Sequence, residues 1–127
     1  MAAAADIAIE VEVGPEVLAG STRMKAGSAE KMILNMLTTG AMARLGYVYG
    51  NLMVNLHLKN EKLMERGIRI VQEITGADRA EAERALKASG KSVPVALVML
   101  KAGVGKTEAV RRLKQARGNV RKAVVGR

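Results

Sequence analysis

The stretch NEKLMERGIRIVQEITGADRAEAERALKASGKSVPVALVMLKAG, residues 60–103, decides the fold of the larger part of this chain. Its apolar residues recur at helical spacing. Glycines at 76, 90 and 103 close successive runs, as glycine commonly does just past a helix end. The pattern predicts three consecutive helices: from Asn60 to about Thr75, from Asp78 to just before Gly90, and from Ser92 to Gly103.

Polar residues at the predicted helix starts support this division. Asp78 with Glu81 has capping-box spacing, and Ser92 is a predicted N-cap with a proline in the first turn behind it. Thr107 is predicted to cap a fourth helix that ends at Gly118, and residues 119–125 to add a last turn. We therefore expect a small three- to four-helix bundle and assign residues 58–127 to it, together with a basic tail.

The part of the chain before residue 58 has a different character. Residues 7–13 alternate apolar and polar side chains, which predicts a strand with one buried face. A lone strand cannot satisfy its backbone hydrogen bonds, and no further strand is evident. Ser28 is predicted to cap a long helix from Ala29 to Leu45, and residues 47–57 read as an irregular connector or a short strand. The sequence thus predicts a mainly α protein in which residues 1–57 are the remnant of a domain whose sheet is missing.

Composition and charge restrict the function classes. The chain has 127 residues, a formal net charge of +9, no cysteine and two aromatic residues, both tyrosines. Residues 101–127 contain nine basic residues and one acidic residue, yet no aromatic residue for base stacking is interleaved. A solvated basic face is therefore favoured over nucleic-acid binding. No apolar run is long enough to span a bilayer and no signal peptide is evident, so we expect a cytoplasmic protein without a membrane partner.

Three further patterns do not point to catalytic chemistry. Gly105-Lys106-Thr107 resembles the end of a P-loop, but Leu100 stands where that motif needs glycine. His57 is the only histidine, and without cysteine it offers no transition-metal site. The two closely spaced carboxylate pairs, in the predicted strand and on a predicted solvent face, show no sign of a pocket. We accordingly predict no metal, no cofactor and no catalytic residue within this chain.

The segment at residues 20–28 is more suggestive. Between two glycines it carries Ser21, Thr22, Arg23 and Lys25 and leads directly into a predicted helix start. Free N–H groups at such a start, together with hydroxyls and cations, can bind phosphate or carboxylate. Ordinary helix capping with a solvated arginine and lysine explains the same residues. Spacing alone leaves both interpretations open.

The longer motif GPEVLAGSTRMKAG, residues 14–27, followed by KMILNMLTTGAM, residues 31–42, resembles the C-terminal part of the N-acetylmuramic acid 6-phosphate etherase family. The glucokinase regulatory protein is a more distant relative with a similar motif. VYGNLMV at 48–54 and NEKL at 60–63 continue the similarity. The helical tail resembles the ubiquitin-associated-like bundle of those enzymes. The resemblance extends from Asp6 to about Arg117.

This resemblance implies a sugar isomerase-type α/β domain, usually homodimeric, that binds a phosphosugar at the carboxyl ends of its strands. Residues 7–13 would be its last core strand. The implied reaction converts N-acetylmuramic acid 6-phosphate to N-acetylglucosamine 6-phosphate and D-lactate in peptidoglycan recycling, by elimination and rehydration, without metal or cofactor. The residues implied to contact the substrate or its phosphate are Ser21, Thr22, Arg23, Lys25 and Glu16.

The chain departs from the family in ways that limit this expectation. The phosphate-binding serine loops and the acid and base glutamates of such enzymes come from earlier strands, which this sequence lacks. Asn55 and Lys59 also replace the family's usual aspartate and threonine. We therefore expect no reaction from this chain alone. The alternative is a stand-alone oligomerising module that binds a phosphosugar or regulates without catalysis. Because uncovered apolar side chains favour association, a homo-oligomer is expected in either case.

Overall fold

A computed structural model describes residues 4–126. The described part contains the helices and strands α1 (Lys25–Arg44), β1 (Val48–Tyr49), β2 (Leu52–Met53), α2 (Glu61–Thr75), α3 (Arg79–Ala88), α4 (Val93–Ala102), α5 (Lys106–Gln115) and α6 (Val120–Val125). The chain divides into two compact units, one up to Gly40 and one from Ala41 onward. Within the described residues the fold is mainly α, as predicted.

The first unit has little regular structure apart from residues 25–40, which form most of α1. The prediction of a strand at residues 7–13 is wrong: these residues form neither strand nor helix, and none of their backbone groups pairs with another described residue. The alternating pattern is present, but neither of the described strands pairs with these residues, and an unpaired strand leaves its backbone groups unsatisfied. Helix α1 begins at Lys25, four residues before the predicted start, so Ser28 lies inside the helix. No residue of α1 is buried.

The second unit has a continuous hydrophobic core built around α4. The α4 sequence VPVALVMLKA is apolar on nearly all sides, which is typical of a helix surrounded by others. Five of its ten residues are buried, and the helix contacts α2, α3, α5 and α6. The core contains Val54, Leu56, Leu58, Ile68, Ile70, Val71, Ala82, Ala85, Leu86, Val93, Val95, Ala96, Leu97, Val98, Ala109, Leu113, Val120 and Ala123.

Most helix boundaries of this unit follow from local capping. The Asn60 side chain accepts a hydrogen bond from Leu63 N, and Asp78 Oδ1 accepts one from Glu81 N at 2.8 Å. Ser92 occupies the N-cap of α4 without forming a side-chain cap bond. The prediction that Thr107 caps the next helix is wrong. Gly105 has the extended N-cap conformation, which places Thr107 in the first turn of α5.

A hairpin and a tight contact complete the unit. Strands β1 and β2 pair antiparallel around a two-residue loop that starts at Gly50, whose φ is +64°. The chain leaving β2 then alternates buried and exposed residues over 54–59, with Val54, Leu56 and Leu58 inside. Upstream, Gly46 (φ +87°) packs against Asn119 so closely that a Cβ at Gly46 would lie 2.6 Å from Asn119 Cα. The start of this unit therefore contacts the N-cap of its last helix.

Candidate functional site

The start of α1 is capped by a side chain from far upstream. Glu16 Oε2 accepts a hydrogen bond from Lys25 N at 3.0 Å, and Glu16 Oε1 accepts one from Ala26 N at 3.0 Å. These are two of the N–H groups that a helix start leaves without a partner. The cap predicted at Ser28 is thus replaced by Glu16, nine residues before the helix begins.

Two further bonds close the segment between Pro15 and Gly27, which we call the capped loop. Lys25 Nζ donates to the carbonyl oxygen of Pro15 at 2.9 Å, and Gly27 N donates to the Thr22 carbonyl at 2.8 Å. A Cβ at Gly27 would lie 3.4 Å from that same Thr22 oxygen. Hydrogen bonds therefore hold the two ends of the loop together at its base, and residues 21–23 lie between these ends.

The structure brings all five predicted site residues into this loop but gives them different surroundings. Glu16 and Lys25 hold the base together. Thr22 and Arg23 are exposed and Ser21 is half-buried. None of these three forms a side-chain hydrogen bond within residues 4–126. Their hydroxyl and guanidinium groups are consequently available to a ligand.

The electrostatic state of Glu16 follows from its contacts. The backbone N–H groups of Lys25 and Ala26, and to a lesser degree the Lys25 ammonium, lower the pKa of the Glu16 carboxyl from its usual value of 4.5. Hydrogen bonds donated to a carboxylate stabilise its charged form. Glu16 is therefore a carboxylate at neutral pH, and its charge faces the positive end of the α1 dipole.

An apolar cleft lies beside the capped loop. Its volume is about 260 Å³, and it is lined by Ile9, Val11, Val13, Ala26, Ala29, Glu30, Ile33 and Leu34. Glu30 is the single charged residue in this lining. The cleft offers no cation for a phosphate, so it fits an apolar segment better than an anionic ligand.

A second open depression, of about 660 Å³, runs along α2 in the other unit. It is lined by Asn60, Lys62, Leu63, Glu65, Arg66 and Arg69. The Glu65 carboxylate accepts hydrogen bonds from both terminal nitrogens of Arg79, at 2.8 and 2.7 Å. Lys62 and Arg66 have no acidic partner among the described residues. Sequence reasoning missed this pair, although two cations four residues apart on one helix are a visible signal.

The basic C-terminal helices are partly neutralised. The Glu108 carboxylate accepts hydrogen bonds from Arg111 and Arg112, which lower its pKa to about 2. The Arg121 guanidinium lies 5.0 Å from the centre of the Tyr49 ring, a cation–π distance. One face of the Tyr49 ring is therefore occupied by the guanidinium.

Residues 4–126 contain neither a metal-binding cluster nor a membrane-spanning helix. No cluster of three or more histidine, cysteine or acidic residues with metal-binding geometry occurs there. None of the helices in that range is long and apolar enough to cross a membrane.

Comparison with known proteins agrees with the motif. The C-terminal lid domain of glucokinase regulatory protein matches residues 50–90. An N-acetylmuramic acid 6-phosphate etherase of Mycolicibacterium smegmatis is 56% identical over 120 residues, 94% of this chain and 40% of the relative. That of Symbiobacterium thermophilum is 61% identical over 104 residues, 82% of this chain and 35% of the relative. That of Klebsiella aerogenes is 51% identical over 124 residues, 98% of this chain and 41% of the relative.

These matches place the chain in a class of proteins that are similar in sequence to etherases and, more distantly, to glucokinase regulatory protein. Within that class the chain is a relative of the N-acetylmuramic acid 6-phosphate etherases and corresponds to their C-terminal portion. It spans about two fifths of their length. The resemblance inferred from residues 14–27 and 31–42 is confirmed.

Proposed function

We propose that this chain serves an N-acetylmuramic acid 6-phosphate etherase as its C-terminal portion and supplies part of the phosphosugar-binding surface. The capped loop carries this proposal. It presents Ser21, Thr22 and Arg23 with unused hydrogen-bonding groups, within a chain that is 51–61% identical to the etherases named above. Hydroxyl and guanidinium donors are well suited to phosphate oxygens, and arginine can engage two of them at once.

The proposed reaction is removal of the lactyl ether to give N-acetylglucosamine 6-phosphate and D-lactate, as a cytoplasmic step of peptidoglycan recycling. It requires an acid and a base close to the reacting carbon. Each of the two clefts described above contains a single carboxylate, Glu30 in one and Glu65 in the other, and not the pair that the reaction needs. We therefore assign phosphosugar binding, and not the proton transfers, to this chain. We also propose that α2–α6 correspond to the ubiquitin-associated-like tail.

Two measurements on the purified 127-residue chain test this proposal. Calorimetric titration with N-acetylmuramic acid 6-phosphate should show binding that weakens at least tenfold in Arg23→Gln. Lys31→Gln, an exposed cation of α1 outside the loop, is the matched control and should bind like the unmodified chain. Incubation with the same phosphosugar should release no D-lactate. Release of D-lactate would refute the assignment of binding without catalysis to this chain. Equal binding by both variants would refute the role of the capped loop.

A specific observation also supports the second candidate, an oligomerising module. Large apolar side chains of α1 and its flanks are exposed, including Met32 (56%), Met36 (62%), Leu37 (54%) and Leu45 (54%). Apolar surface of this extent favours association. We propose a homo-oligomer that buries the exposed methionines and leucines of α1. Sedimentation equilibrium should show a mass above the monomer that Leu37→Glu lowers and Lys31→Glu does not. A monomeric unmodified chain would contradict the proposal.

A further inference from the structure

A helix start normally attracts an anion because its first N–H groups are free and its dipole end is positive. In α1 the anion is already present within the chain. Both oxygens of the Glu16 carboxylate are engaged, one by Lys25 N and the other by Ala26 N, each at 3.0 Å. A phosphate approaching these N–H groups would have to displace the carboxylate or accept a like charge beside it.

We propose that Glu16 is a positioning residue: it fills the anion position at the start of α1 and thereby fixes the capped loop. A ligand phosphate is then met by the side chains of Ser21, Thr22 and Arg23, and not by the helix start. This inference deepens the proposed function, on which it rests, because it specifies which atoms of the loop remain for the phosphosugar. It changes the role of Glu16 from substrate contact to support.

The sequence separation is what gives the bond this role. An ordinary N-cap side chain accepts from an N–H two or three residues ahead and encloses no loop. Glu16 reaches nine and ten residues ahead, so its two bonds close a loop as well as cap a helix. The Lys25 Nζ bond to the Pro15 carbonyl lies at the same base. Removing the carboxylate should therefore release the loop and open the helix start together.

Nuclear magnetic resonance of the isotopically labelled 127-residue chain tests the inference without relying on catalysis. The amide signals of Lys25 and Ala26 should titrate together with a midpoint below 4.5, since the pKa of Glu16 is lowered from that value. Glu16→Gln should abolish this titration. Glu12→Gln is the matched control: an exposed carboxyl of the same unit that makes no hydrogen bond within residues 4–126, and its removal should leave the titration unchanged.

Inorganic phosphate then probes the helix start itself. In the unmodified chain, millimolar phosphate should shift the amide signals of Thr22 and Arg23 and leave those of Lys25 and Ala26 in place. In Glu16→Ala, phosphate should shift the Lys25 and Ala26 signals as well. The proposal is overturned if phosphate moves these two signals equally in both proteins, or if they do not titrate with Glu16. Failure of the phosphosugar to bind would contradict the proposed function but leave the Glu16 titration readable.

Discussion

Replacing Gly46 with alanine should destabilise the helical unit for two reasons: the left-handed backbone conformation of Gly46 and the close approach of Asn119. Gly46 has φ +87°, a conformation that costs a residue with a side chain about 1–2 kcal/mol. The new Cβ would also lie 2.6 Å from Asn119 Cα and 2.9 Å from Asn119 N. Both atoms belong to backbone, so they cannot move aside without displacing the start of α6.

Forcing extra volume into a packed site costs about 1–3 kcal/mol. The total expected loss for Gly46→Ala is therefore about 2–5 kcal/mol, a large part of the stability of a domain of this size. Urea unfolding followed by far-ultraviolet circular dichroism measures this loss directly, because the signal comes from the helices. The midpoint should fall while the slope of the transition stays unchanged.

Gly50→Ala separates the two contributions. Gly50 has φ +64°, but no atom lies within 4 Å of the position of an added Cβ. Gly50→Ala therefore loses stability only through the unfavourable backbone conformation. The change in unfolded-state entropy is the same for both substitutions and cancels in the comparison. Gly46→Ala should thus be the more destabilising variant by about 1–3 kcal/mol. Equal losses in the two variants would refute the close approach between Gly46 and Asn119.

Other perturbations test other parts of the structure. Asp78→Ala removes a cap bond and should cost about 1 kcal/mol in urea unfolding, whereas Ser92→Ala, at a cap without such a bond, should cost clearly less; equal losses would contradict this assignment. Leu97→Ala, in a fully buried position, should lower the free energy of unfolding by about 2–5 kcal/mol. Each kcal/mol lost should lower Tm by about 4–8 °C. An unchanged Tm would contradict the burial of Leu97 in the core. Arg111 and Arg112 lower the pKa of Glu108 from 4.5 to about 2, so the stability that this carboxylate contributes is complete above pH 4.5 and lost as the pH falls through about 2. Free energies of unfolding measured across this range should show the loss. In Glu108→Gln the part of the pH dependence that Glu108 causes should be absent.

Helix boundaries in the second unit were predictable because capping is local. The Asn60 cap, the left-handed Gly76 and the Asp78 cap each depend on residues within a few positions along the chain. Thr107 was the exception. Gly105, and not Thr107, occupies the N-cap position of α5. Side-chain preference alone does not decide between two N-cap candidates two residues apart.

Features that depend on distant residues were not predictable. The alternation at residues 7–13 places Ile9, Val11 and Val13 in one cleft, but the predicted buried strand is absent because no described strand pairs with these residues. The Glu16 cap and the approach of Gly46 to Asn119 join positions that local patterns do not connect. The motif indicated five candidate binding residues, and all five lie within the capped loop. It could not divide them into those that hold the loop and those left free, and their part in binding remains a prediction.

The contact between Gly46 and Asn119 also bears on how the helical unit could be used as a module. It brings the first residues of the unit next to the start of its last helix, since Gly118 likewise lies near the Leu45 carbonyl. Units whose ends are adjacent tolerate insertion into a host loop and rejoining of their termini in a new order. A circular permutant of residues 45–126, with a flexible linker that returns along α6 to Leu45 and new ends in the turn after α3, should retain the same core.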